Sequence, residues 1–437
     1  MTLASLSPAG AQDKLNQFSE YTAETFVLTN VPKTLALMFG PLPDPFPILY
    51  LRDECLSWVD SARYTGIHFS TSHADMFAAH YTRKEQTARA AANAALSVES
   101  HIGTIPATTA RMLYLAHVEP HLVFGCEVAL DVRANALKSL EDLQRTYLRR
   151  LLKLSAHSQV IPLFTETGIW PVRYRRMDLV LRYAKYLVDS GPVLPRLALQ
   201  EVVALARAPG HSGSWWSDVQ HALGALPVPV RMDWHGGPTS TNLDKARNDL
   251  ASSLSQSLWE GALASSRLPL VTTRFHATPR TDLAAVAAWR PYLNVERAPL
   301  RTALTRLVAS EHPFAVEALR HAPHKVPRER RVCRFCRHQT CVEDEIHVLL
   351  VCEHPTLAEL QERFADQMNT EFRVNVEYLL RYSPLSPGDV LHALLHREDA
   401  LTTVAQYVQD IFDVVQLTPL LIIQNDDEWT RLVLEAV

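Results

Sequence analysis

A chain of 437 residues, 47% hydrophobic and 21% charged, has the make-up of a soluble globular protein and is long enough for two to four domains. Its 43 basic and 47 acidic side chains leave a net charge of −4, so the whole-chain charge points to no polyanionic partner and any such surface has to be local. No apolar run reaches the roughly 18 residues of a membrane span, and the N-terminus MTLASLSPAGAQDKLNQFSE lacks the basic start and apolar block of a secretory leader.

Residues 1–80 read as strands and turns. ETFVLTN is rich in β-formers, KTLALMFG is a second apolar run, PLPDPFPILYL ends in a short apolar strand, and SARYTGIHFS reads as a strand tightened at Gly66. A small antiparallel sheet is expected, too small to stand alone. From about Asp75 the pattern turns helical. MFAAHYTRKEQTARAAANAALSVESHI is long and alanine-rich, and TTARMLYLAHVEPHLVFGCEVAL is apolar but interrupted by Pro120. In NALKSLEDLQRTYLRRLLKL, Leu137, Leu140, Leu143, Tyr147, Leu148, Leu151 and Leu152 share one helix face. Arg145, Arg149, Arg150 and Lys153 end the other face, where they suit the helix dipole or form a ridge for a phosphate backbone.

A further helix is expected from about Val172, carrying Arg173, Arg175, Arg176, Arg182 and Lys185. Residues 209–241, with APGHSGSWW and WHGGPTST, read as a linker, with Trp215 and Trp216 as buried anchors. Helices resume at about 242–265 and 282–290. APLRTALTRLVAS is a compact helix with Pro299 in its first turn and Leu300, Leu304, Leu307 and Val308 on one face. In the tail, Leu401, Val404, Val408, Ile411 and Val415 recur at helix spacing and read as core. The expected architecture is mainly α with a small N-terminal antiparallel β region. Its segments are 1–80, 81–208, the linker 209–241, 242–324, a metal knuckle at 325–356 and a helical tail at 357–437.

Four of the six cysteines fall within CRFCRHQTCVEDEIHVLLVC, Cys333 to Cys352. Such clustering in a long chain does not make a secreted disulfide framework; it points to a metal site in a reducing, intracellular compartment, nuclear or cytoplasmic. Cys333 and Cys336 can reach one tetrahedral ion from a single turn, with His347 and Cys352 completing the set. Thiolate and imidazole suit zinc in a closed structural site. The five-residue step from His347 to Cys352 is loose for a straight helix, which places Cys352 just past a helix end. Cys341 in place of one ligand stays open, and His338 and His354 are further donors. From Arg320 to Thr340 there are seven basic residues, among them Lys325, Arg328, Arg330, Arg331, Arg334 and Arg337, against one acid, Glu329. This surplus could neutralise phosphates, with Phe335 stacking on a base; alternatively it is a solvated loop balanced by Glu343, Asp344 and Glu345.

No Gly-rich phosphate loop, nucleophile elbow or H-E-x-x-H motif occurs in the sequence. The acid pair Asp426-Asp427 reads as a helix start rather than a magnesium site.

Several segments, in order, resemble the C-terminal half of a non-LTR retrotransposon reverse transcriptase. NVPKTLALMFG is similar to a late palm element, with Asn30 and Lys33 in matching places. YTGIHFS resembles the primer-grip hairpin, with Tyr64 and Gly66 matching. LEDLQRTYLRRLLKL and TETGIWPVRYRRMDLVLRYAKYL resemble the helical thumb, and LTRLVASEHPFAVEALR through EDEIHVLLVC resembles the zinc-binding segment with its leading helix. The resemblance spans most of residues 25–355. It implies RNA or DNA binding, RNA foremost, with the knuckle helping to hold it. The family's strand aspartate and Tyr-x-Asp-Asp turn have no counterpart here. The resemblance therefore implies no polymerase activity by this chain alone, and a companion polypeptide would have to supply the palm. Two other readings remain: a helical scaffold whose knuckle binds another protein, or a relic without function whose first 80 residues are loosely ordered.

Overall fold

The structure, a computed structural model, describes residues 2–41, 43–71, 75–208, 213–232, 237–276, 278–320, 325–423 and 427–429. It is mainly α-helical, with short strands confined to the N-terminal 70 residues. No helix among the described residues is long and apolar enough to cross a membrane.

The N-terminal part differs from the expected single sheet. It opens with a helix, α1 (Pro8–Glu24), that no apolar periodicity announces; Ser7 caps it by accepting from the Gly10 amide, and Pro8 fits its first turn. ETFVLTN is not a strand. The chain leaves α1 with Phe26 in the left-handed region (φ 56°), and Phe26 and Leu28 stay exposed. Three separate two-stranded pieces follow. β1 (Leu35–Ala36) pairs in parallel with β4 (Ser57–Trp58). β2 (Tyr50–Leu51) and β3 (Glu54–Cys55) form an antiparallel pair, as do β5 (Ser61–Tyr64) and β6 (Ile67–Ser70). Leu15 of α1 joins Val31, Ala36, Leu49, Leu51 and Leu56 in a small core of their own.

From Tyr81 to Val415 most of the buried apolar side chains form one large cluster, with Ala315, Leu319 and Val326 in a small one of their own. It starts with α2 (Ala78–Ser97) against α3 (Ala134–Leu152). All seven apolar positions expected on the buried face of α3 are buried, and the helix stops at Lys153, which adopts a left-handed conformation (φ 56°) and pairs with Glu99 at 2.7 Å. α4 (Val172–Asp189) carries its cations as expected, but each is neutralised inside the molecule. Arg173 pairs with Glu141 at 3.0 Å, Arg175 with Glu119 at 3.3 Å, Arg182 with Asp178 at 2.8 Å and Lys185 with Asp189 at 3.1 Å. Arg176 is buried on Asp131 at 2.8 Å.

The expected linker, of which residues 209–212 and 233–236 lie outside the described residues, contains a packed helix: α5 (Trp215–Gly224) has a Ser214–Ser217 capping box and buries Trp216, Val219 and Leu223. Trp215 donates to the Glu127 carbonyl at 2.8 Å. Glycines on either side of it make the sequence look like a linker, whereas the apolar residues between them anchor it. α6 (Ser240–Leu263), α7 (Pro269–His276) and α8 (Ala298–Val308) continue the core. α9 (Pro355–Phe372), α10 (Pro387–His396) and α11 (Leu401–Leu417) close it, with Leu401, Val404, Val408, Ile411 and Val415 all buried. Asp426 of the acid pair lies outside the described residues; Asp427 begins a helical turn.

Candidate metal centre and nucleic-acid interface

The knuckle is built from a backbone clasp. Val332 bridges Val342 in antiparallel fashion, and the Cys333 amide donates to the Cys341 carbonyl at 2.9 Å. Between them the chain turns back on itself: Arg337 adopts a left-handed conformation (φ 50°) and its amide donates to the Cys333 carbonyl at 2.9 Å. This turn brings the Cys333 and Cys336 sulfurs to the same side. On the other arm Asp344 accepts from the His347 amide at 3.0 Å and starts a helical turn. His347–Val351 is a π-helical turn, closed by Cys352 N–H donating to the His347 carbonyl at 2.7 Å. Five residues overshoot one α-helical turn but complete one bonded i to i+5. The wide turn thus returns Cys352, just past its end, to the side of His347.

The ligand atoms of Cys333, Cys336, His347 and Cys352 all lie within 4.8 Å of one another. Cys333 and Cys352 sulfurs are 3.9 Å apart, and the Cys336 sulfur is 3.4 Å from His347 Nε2. A tetrahedral ion with about 2.3 Å bonds to sulfur and about 2.0 Å to nitrogen asks for edges of about 3.5–3.8 Å, so these residues fit one metal ion. Hydrogen bonds from Cys333 and Cys336 hold the Cys352 thiol down at about 3, while the bonds to Cys336 and Cys352 push Cys333 up. Packed this closely, the sulfurs share protons that a cation would displace. Cys341 is outside the group: its sulfur is 3.9 Å from His338 Nδ1, which itself sits 2.8 Å from Thr340 Oγ1. His354 Nδ1 accepts from the Thr356 amide at 3.3 Å and caps α9. With four protein ligands, a tetrahedral ion here has no open position for substrate or water.

The basic flank corrects the sequence expectation. Phe335 is buried, with its ring centroid 5.7 Å from that of His354, so it offers no face to a base. Arg334 is buried too. It grips Glu343 at 2.6 Å and donates to the Val415 and Thr418 carbonyls at 2.9 and 2.8 Å, capping the C-terminus of α11. Arg331 is buried, donating to the Val316 and Val326 carbonyls at 2.6 and 2.9 Å. Arg328 pairs with Asp344 at 2.9 Å, and the Arg330 guanidinium lies 5.8 Å from the Trp429 ring centroid. Of the flank's expected contacts, Lys325 and Arg337 are exposed and carry no ion pair among the described residues. The balancing acids are not solvated either, since Glu343 and Glu345 are buried, Glu345 on His312 at 2.8 Å.

A different face gathers free cations. Tyr64 and Gly66 sit at the tip of the β5–β6 hairpin, whose central residues Thr65 and Gly66 both have positive φ (49° and 88°), the geometry of a two-residue hairpin turn that matches strand twist. The Phe124 ring lies over this turn: a Cβ on Gly66 would meet it at 2.7 Å. Lys84 Nζ stands 3.5 Å from the centre of the same ring. Arg63 is register partner to His68 across the hairpin, and Arg83 precedes Lys84 on α2. Partial burial lowers the His68 pKa, and Arg63, Arg83 and Lys84 lower it further, as expected in a field of one sign. Among the described residues Arg63, Arg83 and Lys84 make no ion pair, while Tyr64 and Phe124 keep about half of their surface exposed (47% and 41%). Sequence reasoning missed Arg63, His68, Arg83, Lys84 and Phe124 because hairpin, helix and loop assemble them from 62 positions of chain, with no local run of charge. Asn30 caps the 3-10 turn Val31–Lys33 through the Lys33 amide at 3.1 Å, and Lys33 is exposed, in the N-terminal unit with its separate core.

No family model matches this chain, and no curated protein or solved structure matches it. Its function is therefore read from its own residues.

Proposed function

We propose that this chain is a zinc-stabilised nucleic-acid-binding protein, similar in its order of segments to the C-terminal half of a non-LTR reverse transcriptase and without polymerase activity of its own. The observation that carries the binding is the hairpin face, where Arg63, Arg83 and Lys84, which make no ion pair among the described residues, surround two exposed rings, Tyr64 and Phe124. Cations for phosphates and rings for unstacked bases are what single-stranded RNA or DNA requires. Zinc is the ion best suited to the three sulfurs and one imidazole of the knuckle, and its part is to fix the fold. Polymerisation needs carboxylates for two metal ions, and the motifs that supply them in the family are missing; a companion polypeptide would provide them. Such a role belongs in a reducing compartment, nuclear or cytoplasmic, where the four ligands stay available.

The test is a salt titration of binding to a single-stranded RNA by wild type, by Arg63→Ala/Arg83→Ala/Lys84→Ala and by Cys333→Ser/Cys336→Ser. The proposal expects a steep wild-type salt dependence, a loss in the triple variant with the fold intact, and a loss in the cysteine variant through unfolding of the knuckle. Wild type that binds no RNA overturns it. A second reading, a helical scaffold whose knuckle binds another protein, is favoured by the burial of Arg331, Arg334 and Phe335. Its interactions would be apolar and would show little salt dependence.

A further inference from the structure

Phe124 follows the short helix Glu119–Val123 and is 41% exposed, so packing alone does not fix its ring. Three contacts hold the turn that carries it. His80 of α2 is buried, and its Nε2 donates to the Phe124 carbonyl at 3.1 Å. The next residue, Gly125, has a positive φ (75°) and lies close to both α2 and the hairpin: a Cβ there would meet His80 Nε2 at 3.1 Å and Ile67 Cγ1 at 3.2 Å. The bare turn at Gly66 receives the tip of the ring, where a Cβ would meet Cζ at 2.7 Å.

A carbonyl only accepts, so His80 carries its hydrogen on Nε2, and Nδ1 is a buried acceptor without a hydrogen-bond partner among the described residues. Burial holds the imidazole down at about 4 against the pull of the Phe124 carbonyl, and Lys84, Arg176 and His68 add to the effect of burial. His80 therefore donates as a neutral group at physiological pH. Burying an imidazole with one nitrogen unpaired costs free energy. An apolar side chain would fill the same space without that cost, but it would leave the turn of the exposed ring unanchored on α2.

We propose that His80 is the positioning residue for Phe124: its hydrogen bond fixes the ring as a platform for an unstacked base, and so sets how far the hairpin face prefers a base-bearing single strand to a bare polyanion. This inference rests on the reading of that face as a single-strand site. Arg63, Arg83 and Lys84 answer to the phosphates, which every strand carries. Phe124 answers to the base. A ring free to swing on its turn would have to be ordered when the strand arrives, and that ordering would offset the stacking.

The test compares binding of the full chain to an oligouridylate and to an abasic ribose-phosphate oligomer of the same length and charge. Wild type should prefer the base-bearing strand about tenfold, the size of one base–aromatic stack. Phe124→Leu should lose that preference directly. His80→Leu should lose most of it, with the affinity for the abasic strand and the salt slope unchanged. His80→Gln, whose amide N–H reaches the position of Nε2, should restore it. Should His80→Leu fail to fold, His80→Asn takes its place, because its shorter amide reaches only the position of Nδ1 and should lose the preference too. A full preference retained without the donor, or in Phe124→Leu, overturns the inference. So does a loss that His80→Gln fails to restore, or one shared equally by both strands, which would make His80 merely structural. Equal wild-type affinity for the two strands overturns it and leaves the phosphate contacts standing, whereas wild type that binds neither strand overturns the single-strand reading itself.

Discussion

The knuckle flank and the hairpin face hold similar cations and use them in opposite ways. In the knuckle, arginines arrive as a dense run; the fold buries two of them, Arg334 onto Glu343 and the end of α11 and Arg331 onto carbonyls, and pairs the exposed Arg328 with Asp344. On the hairpin face the cations are scattered in sequence, yet Arg63, Arg83 and Lys84 converge without a counter-charge among the described residues. Basic density along a chain thus measures neither exposure nor availability. What decides is whether buried acceptors lie within reach, and the knuckle, packed against α9, α10 and α11, has them.

Four perturbations should separate the two regions. The largest effect belongs to the ligands. The ion proposed for this group is zinc, and structural zinc contributes about 10 kcal/mol to folding in small domains. Cys352→Ser should therefore lose the metal and unfold residues 325–356, whereas Cys341→Ser should keep one metal ion per chain. Elemental analysis with circular dichroism checks both. Next, Arg334→Ala leaves Glu343 buried without its counter-charge, held only by the Ala315 and residue-334 amides, and should cost about 3–5 kcal/mol in denaturant unfolding. Arg63→Ala on the hairpin should change stability by less than about 0.5 kcal/mol; a similar loss at both positions would erase the distinction.

Acid probes the core that supports both regions. Burial pushes the Glu166 carboxyl up, but Arg274 and Arg290 outweigh it and hold it at about 2. Its stabilisation is present above the unfolded-state value near 4.5 and is lost as pH falls through that window toward 2. Glu166→Gln should flatten the acid limb of a pH–stability curve between those values; an unchanged limb would contradict the pairing. A small stabilising effect is expected at Arg337, whose left-handed backbone (φ 50°) disfavours any side chain. Arg337→Gly should raise the unfolding midpoint, by about 0.5 kcal/mol of stability, and leave metal content and RNA affinity unchanged.

The buried face of α3 and the tail positions Leu401 to Val415 were legible because helix period is written directly in the residues. The metal group was legible for a chemical reason: few side chains bind such ions, and four of them lay within twenty residues. Less visible were features that depend on direction rather than type. Nothing in RVCRFCR distinguishes Arg334, which the turn points into the core, from Arg337, which it points outward. α1 has a weakly apolar face and reads as polar coil, and α5 hides between glycine-rich flanks. The hairpin face needed tertiary structure, because Arg63, Lys84 and Phe124 come from three different elements.

The separation of a structural knuckle from a binding hairpin is tested most directly by the salt slope of single-stranded RNA binding in two variants. With three contacts removed, Arg63→Ala/Arg83→Ala/Lys84→Ala should lower the slope of log affinity against log salt by about 2, at roughly 0.7 per phosphate. Lys325→Ala/Arg337→Ala should leave it near the wild-type value. The reverse pattern, with the slope lost in the knuckle pair and kept in the hairpin triple, would contradict the account.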